Sequence, residues 1–147
     1  FDYQVDTITE PTLKENLAVS IKNYVVKNGD QLIFQPNVFN ILRAIPESKN
    51  RSNELYINRG YTDIDEIEFT FEPKLTRKIL PLEKIIECPM GIYEMRVFND
   101  GEKIKMIRSI EIKQGLYPVE DYQKFYEFMK EVSANDRIKY TLSSVSK

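Results

Sequence analysis

One stretch of this sequence has a clear helical period, residues 116–142 (LYPVEDYQKFYEFMKEVSANDRIKYTL), and it constrains how everything else can fold. At 3.6 residues per turn, Val119, Tyr122, Phe125, Tyr126, Met129 and Val132 share one face. Glu120, Gln123, Lys124, Glu127, Lys130 and Glu131 take the other. Pro118 suits the first helical position, where its missing N–H costs nothing. Glu120 and Asp121 put negative charge in the first turn, complementing the helix dipole. The pattern predicts a helix over about 118–134, an exit at Ala134, Asn135 and Asp136, and a closing strand where Ile138, Tyr140 and Leu142 alternate with Lys139 and Thr141. A face this aromatic needs a sheet, or another chain, to lie against.

The sheet is what the upstream chain offers. Phe1, Tyr3, Val5 and Ile8 are spaced as a first strand or a linker, interrupted by Pro11. Leu17, Val19 and Ile21 alternate with Ala18, Ser20 and Lys22, predicting a half-buried strand. Asn28 and Gly29 supply the positive φ values of a tight hairpin, with a return strand at 32–34 stopped by Pro36. Leu55 and Ile57 begin another strand, turned by Gly60. Residues 83–88 and 91–98 read as strands, and Asn99, Asp100 and Gly101 form a second hairpin signal. It leads into the longest strand, 103–113, where Ile104, Met106, Ile110 and Ile112 share a face with Arg108 among them. Either a bulge turns Arg108 outward, or a carboxylate or carbonyls meet it inside. The expectation is a structural arginine whose stem covers apolar surface, with a ligand-binding arginine as the alternative. Short strands with Pro and Gly punctuation predict a mainly β fold: an antiparallel sandwich of about 7–9 strands, the helix packed on it. Lys103, Lys105 and Lys113 look like protection of a sheet edge.

The chemical inventory is narrow. With no histidine, Ser-His-Asp and Cys-His catalysis are excluded within this sequence, as is the commonest transition-metal ligand. The single cysteine, Cys88, ends an apolar run and reads as a buried structural thiol. Asp63, Asp65, Glu66 and Glu68 invite a calcium hypothesis, but they alternate with Ile64, Ile67 and Phe69 and lack the glycine of a calcium loop. A solvated strand face is the expectation, and the reading assigns no catalytic, cofactor or metal site. The net charge of −2 gives no footprint for nucleic acid, and no apolar run approaches a membrane span. At 147 residues the expectation is a single domain over 1–147, with residues 1–14 a first strand or linker, cut from a larger multidomain protein.

Several features come together from Arg51 onward. Phe71, Glu72 and Pro73 follow a strand; Leu80 and Pro81 come next, then Gly91, Ile92 and Tyr93. Arg108 follows Met106 and Ile107 in a long strand. The chain closes with Pro118, Tyr122, Phe125 and Phe128 in a proline-led helix, then Asp136 and a terminal strand. This layout, over about two thirds of the chain, resembles the C-terminal β-sandwich of Bacteroidetes-type transglutaminase-like proteins labelled cysteine proteases, a domain family of unknown function. The catalytic Cys-His-Asp set of their core has no counterpart here. The resemblance implies a non-catalytic accessory domain, docking on or spacing a protease-like core, in a secreted, extracytoplasmic protein. Its partners would be upstream domains of the same chain, with other proteins a further option. A carbohydrate- or peptide-binding sandwich is the alternative. The residues expected to matter are structural: Tyr122, Phe125, Tyr126, Met129 and Arg108.

Overall fold

A computed structural model describes residues 2–6, 12–16, 18–29, 31–71, 79–100 and 103–143. The described residues form eleven strands and one α-helix, and all strand pairings are antiparallel. β1 (Asp2–Asp6) and β2 (Thr12–Asn16) pair as a hairpin. The main sheet has the order β6 (Tyr61–Phe69), β9 (Lys103–Ile112), β8 (Gly91–Asp100), β7 (Leu82–Cys88). β3 (Val26–Asn28), β4 (Gln31–Phe34) and β11 (Tyr140–Ser143) form a second sheet with β4 central. β5 (Leu55–Ile57) and β10 (Gly115–Tyr117) make a short ribbon. The chain then turns through one 3-10 turn, Val119–Asp121, into α1 (Tyr122–Asn135).

Strict alternation makes β9 the centre of the core. Ile104, Met106, Arg108, Ile110 and Ile112 are all buried, and their neighbours along the strand are not. Tyr93, Met95 and Val97 on β8 continue this inner face. A mixed layer lies against it: Phe34 and Leu142 from the small sheet, and Phe128, Met129 and Val132 from α1. Phe34 meets Phe69 edge-on at 5.2 Å, which ties the two sheets together. The fold is therefore a sandwich whose second layer is part sheet and part helix. Gly91 is required where β8 starts beside β9, because a Cβ there would collide with the Glu111 carbonyl oxygen.

Several expectations shift. The strand expected at 17–21 is absent over the described residues 18–21, where Val19 and Ile21 are exposed and the backbone is irregular. Alternation alone could not supply a partner strand. The first hairpin turns one residue later than expected: Asn28 pairs with Gln31, and Gly29 takes the positive φ of +58°. In the second, Asn99 and Asp100 continue β8, paired with Ile104 and Lys103, and Gly101 lies outside the described residues. Residues 72–78, with the expected Pro73, also lie outside them, as do Pro11 and Leu17. Lys103 and Lys105 guard no edge, since β9 is interior; Lys103 pairs with Glu68 at 2.6 Å and Lys105 with Glu66 on β6, while Lys113 lies just past the end of β9. Pro118 precedes the 3-10 turn with an extended ψ of 152° instead of entering the helix.

The helix presents a rotated face. Tyr122, Met129 and Val132 are buried as expected, but Phe125 and Tyr126 are only half-buried, and Phe128 reaches the core. Phe128 stacks on Phe125 at 6.3 Å between ring centroids. Phe128→Ala is expected to lower stability by about 3–5 kcal/mol. Phe125→Ala should cost clearly less, and urea denaturation of the two variants checks the order.

Candidate functional site

An arginine in the middle of a core strand must be met by charge or expelled, and here it is met. Arg108 is 0% exposed. Its Nε donates to Asp136 Oδ1 at 2.8 Å and its Nη2 to Asp136 Oδ2 at 3.1 Å, a bidentate pair. Its Nη1 donates to Asp65 Oδ2 at 2.9 Å. The guanidinium carbon lies 5.5 Å from the Tyr93 ring centroid. Burial works against the arginine's charge, but the Asp136 bonds and charge, with Tyr93 and Asp65, hold its pKa above the ordinary value.

Asp136, also wholly buried, occupies the C-terminal cap of α1. Besides Arg108 it accepts from the Tyr93 hydroxyl at 3.0 Å and from the Leu42 N–H at 2.9 Å. Four donors thus satisfy one carboxylate in a dry site. Tyr93 is held protonated well above the ordinary phenol range, by burial first and then by the Asp136 charge. The network extends into the segment after β4. Gln35 Nε2 donates to the carbonyls of Asn37, at 2.8 Å, and of Asp136, at 3.3 Å. Buried Asn37 brackets Asn40, accepting from its N–H and donating to its carbonyl, both at 3.2 Å. Asn40 in turn donates to Asp65 Oδ1. The surplus negative charge sits on Asp65, whose side chain is 15% exposed at the rim.

The expected site residues divide between the ends of α1. Arg108 meets the helix C-terminus through Asp136. Tyr122 sits at the other end with Leu55 and Met90 in a smaller apolar cluster, and its hydroxyl donates to the Pro46 carbonyl at 2.7 Å. Phe125 and Tyr126 flank that cluster, while Met129 belongs to the main core. The acidic strand face is corrected in part. Asp65 points inward with Ile67 and Phe69, whereas Glu66 and Glu68 point outward with Ile64, 73% exposed. Local sequence pattern does not single out Asp136, Asp65, Tyr93 or Asn37 as members of this network. A buried arginine does call for a carboxylate, and Asp136 at the helix exit was the one to test first.

Cys88 is half-buried rather than fully so. Burial pushes its thiol up, against the N–H groups of Met90 and Gly91. No group of three or more potential metal ligands occurs among the described residues, and no described helix is long and apolar enough to cross a membrane.

These features define a mainly β domain built around a sealed Arg–Asp pair. Residues 30–142 match the family described as Domain of Unknown Function with solved-structure structure (DUF3858), and the chain belongs to it. The whole Arg108 network lies inside the matched residues. No match to the chain is found among curated proteins or solved structures.

Removing one partner strands the other charge. Asp136→Ala should lose about 3–5 kcal/mol. The double variant Arg108→Met, Asp136→Leu should lose less than the sum of its single variants in urea titrations, and simple additivity would show that the two are uncoupled.

A second expectation concerns alkali. Burial pushes Tyr24 and Tyr140 up to about 12, and Tyr93 is raised as well. Unfolded tyrosines ionise near pH ~10, so above that the unfolded chain binds fewer protons and stability falls through pH ~12. The Tyr140 hydroxyl is buried without a hydrogen-bond partner among the described residues. Tyr140→Phe should therefore hold or raise stability at neutral pH, by up to about 1 kcal/mol, and flatten the alkaline decline. A denaturation series from neutral to alkaline pH reads both effects.

Proposed function

We propose that this chain is a non-catalytic accessory domain that docks on, or spaces, a transglutaminase-like or cysteine-protease-like core of an extracytoplasmic protein. The observation that carries the non-catalytic part is the use to which the charged cluster is put. Arg108 and Asp136 are both fully buried, and their partners are a phenol, a neighbouring carboxylate and the domain's own backbone. Groups sealed in this way fix a fold and present no face to a substrate. The half-buried, raised thiol of Cys88 does not favour a nucleophile. The docking part rests on the strand, proline and helix layout that resembles the C-terminal sandwich of such proteins.

The carbohydrate-binding alternative needs exposed aromatic platforms, and the tyrosines supply few. Among the described tyrosines, Tyr93 and Tyr122 are buried, and Tyr56 and Tyr61 are the exposed ones.

Titration of this chain into a separately produced core should give measurable binding heat and raise the Tm of the core. Absence of both removes the docking reading.

A further inference from the structure

The small sheet carries an apolar groove that, among the described residues, meets the network above only at Gln35. It has a volume of about 410 Å³, within the range of specific binding sites. Ile21, Val26, Ile33 and Ile41 are among the apolar side chains that line it, Val26 standing beside Ile33 across β3 and β4. Ile21 and Val26 are 45% and 56% exposed, far more than apolar side chains in a packed wall. Among the described residues the charged groups at the groove are Lys22 and Lys139, and no described acid lines it. Neither lysine makes an ion pair among the described residues. Val26 belongs to β3, the edge strand of its sheet, which is exposed along its length. The wall formed by Ile21 to Val26 precedes the residues matched by the family, whereas Ile33, Ile41 and Lys139 lie within them.

We infer that this groove binds an extended peptide segment in which apolar side chains are flanked by carboxylates. Each part of the surface meets one part of such a segment. The edge of β3 that has no partner strand among the described residues offers backbone groups for an added strand. The groove takes alternate apolar side chains, since neighbouring residues of a strand point to opposite faces. Lys22 and Lys139 meet the carboxylates, and a basic segment would set like charges together. An unpaired edge beside exposed apolar side chains is otherwise an aggregation hazard, and an occupant removes it.

The assignment rests on the docking reading above. A displayed library of short random peptides, selected against the intact chain, should enrich sequences that alternate apolar residues with Asp or Glu. Synthetic copies of the winners, followed by fluorescence anisotropy, should bind at least about tenfold more weakly to the double variant Lys22→Glu, Lys139→Glu. Both lysines are exposed, so this variant should keep its circular dichroism spectrum and Tm. Selection against it should turn toward Lys- and Arg-containing peptides. No enrichment, enrichment of basic peptides by the native chain, or unchanged affinity in the variant overturns the assignment. So does self-association of the chain in sedimentation that the charge reversal abolishes, because the occupant is then a second copy. If peptides fail while the chain still raises the Tm of the core, the groove assignment alone falls; if both fail, the docking reading falls too.

Discussion

The pairing of Arg108 with Asp136 is the contact from which the arrangement of the other elements follows. Arg108 occupies a core position of β9, flanked along the same face by Met106 and Ile110, where water cannot reach it. Removing two charges from water costs several kcal/mol per ion unless geometry and further hydrogen bonds compensate. Compensation requires Asp136 within hydrogen-bond reach, so the C-terminus of α1 must come down over the middle of the main sheet. The Leu42 N–H and the Gln35 side chain then bond to the same residue, drawing in the segment that follows β4. Helix, main sheet and the segment that follows β4 meet at one residue.

Such a pair contributes little net stability compared with apolar side chains of equal volume, so its structural effect lies in register. β11 begins four residues after Asp136 and pairs with β4 from Tyr140 opposite Phe34 to Ser143 opposite Gln31. Sliding α1 by one residue would withdraw Asp136 from Arg108 and misplace that pairing, turning Leu142 from the core face to the other. An apolar contact tolerates sliding because it has no direction; a bidentate ion pair does not. Arg137 reinforces the same corner by donating to the carbonyls of Ser133 at 2.6 Å and Leu42 at 3.2 Å.

Features governed by local periodicity were legible in the sequence. The alternation along 104–112 placed Arg108 on the buried face, and the helical period gave α1 to within a few residues. Features set by distant partners were not. Val19 and Ile21 alternate as a strand would, yet the edge beside β4 is taken by Val26–Asn28. An ideal 3.6 period through Tyr122 puts Phe128 off the apolar face. The actual helix turns a wider stripe inward, meeting β7 and the small sheet together. Asp65 looked like one member of a solvated row until its strand was set beside Arg108, 43 residues further along. Which acid answers a buried arginine depends on sheet order, and local pattern does not carry sheet order.

The same sheet order separates two kinds of surface. On the outer face of the main sheet, Lys103 and Lys105 pair with Glu68 and Glu66 across β9 and β6 in mostly exposed contacts. Exposed pairs of this kind contribute at most about 1 kcal/mol each and are screened by salt, so they keep that face solvated without committing it to a partner. The small sheet differs, because among the described residues its β3 edge has no partner strand and its groove combines exposed apolar side chains with lysines and no acid. A domain that spends its buried charge on its own register has only its surface left with which to recognise anything. On this surface, among the described residues, unmatched charge and unpaired backbone coincide beside β3.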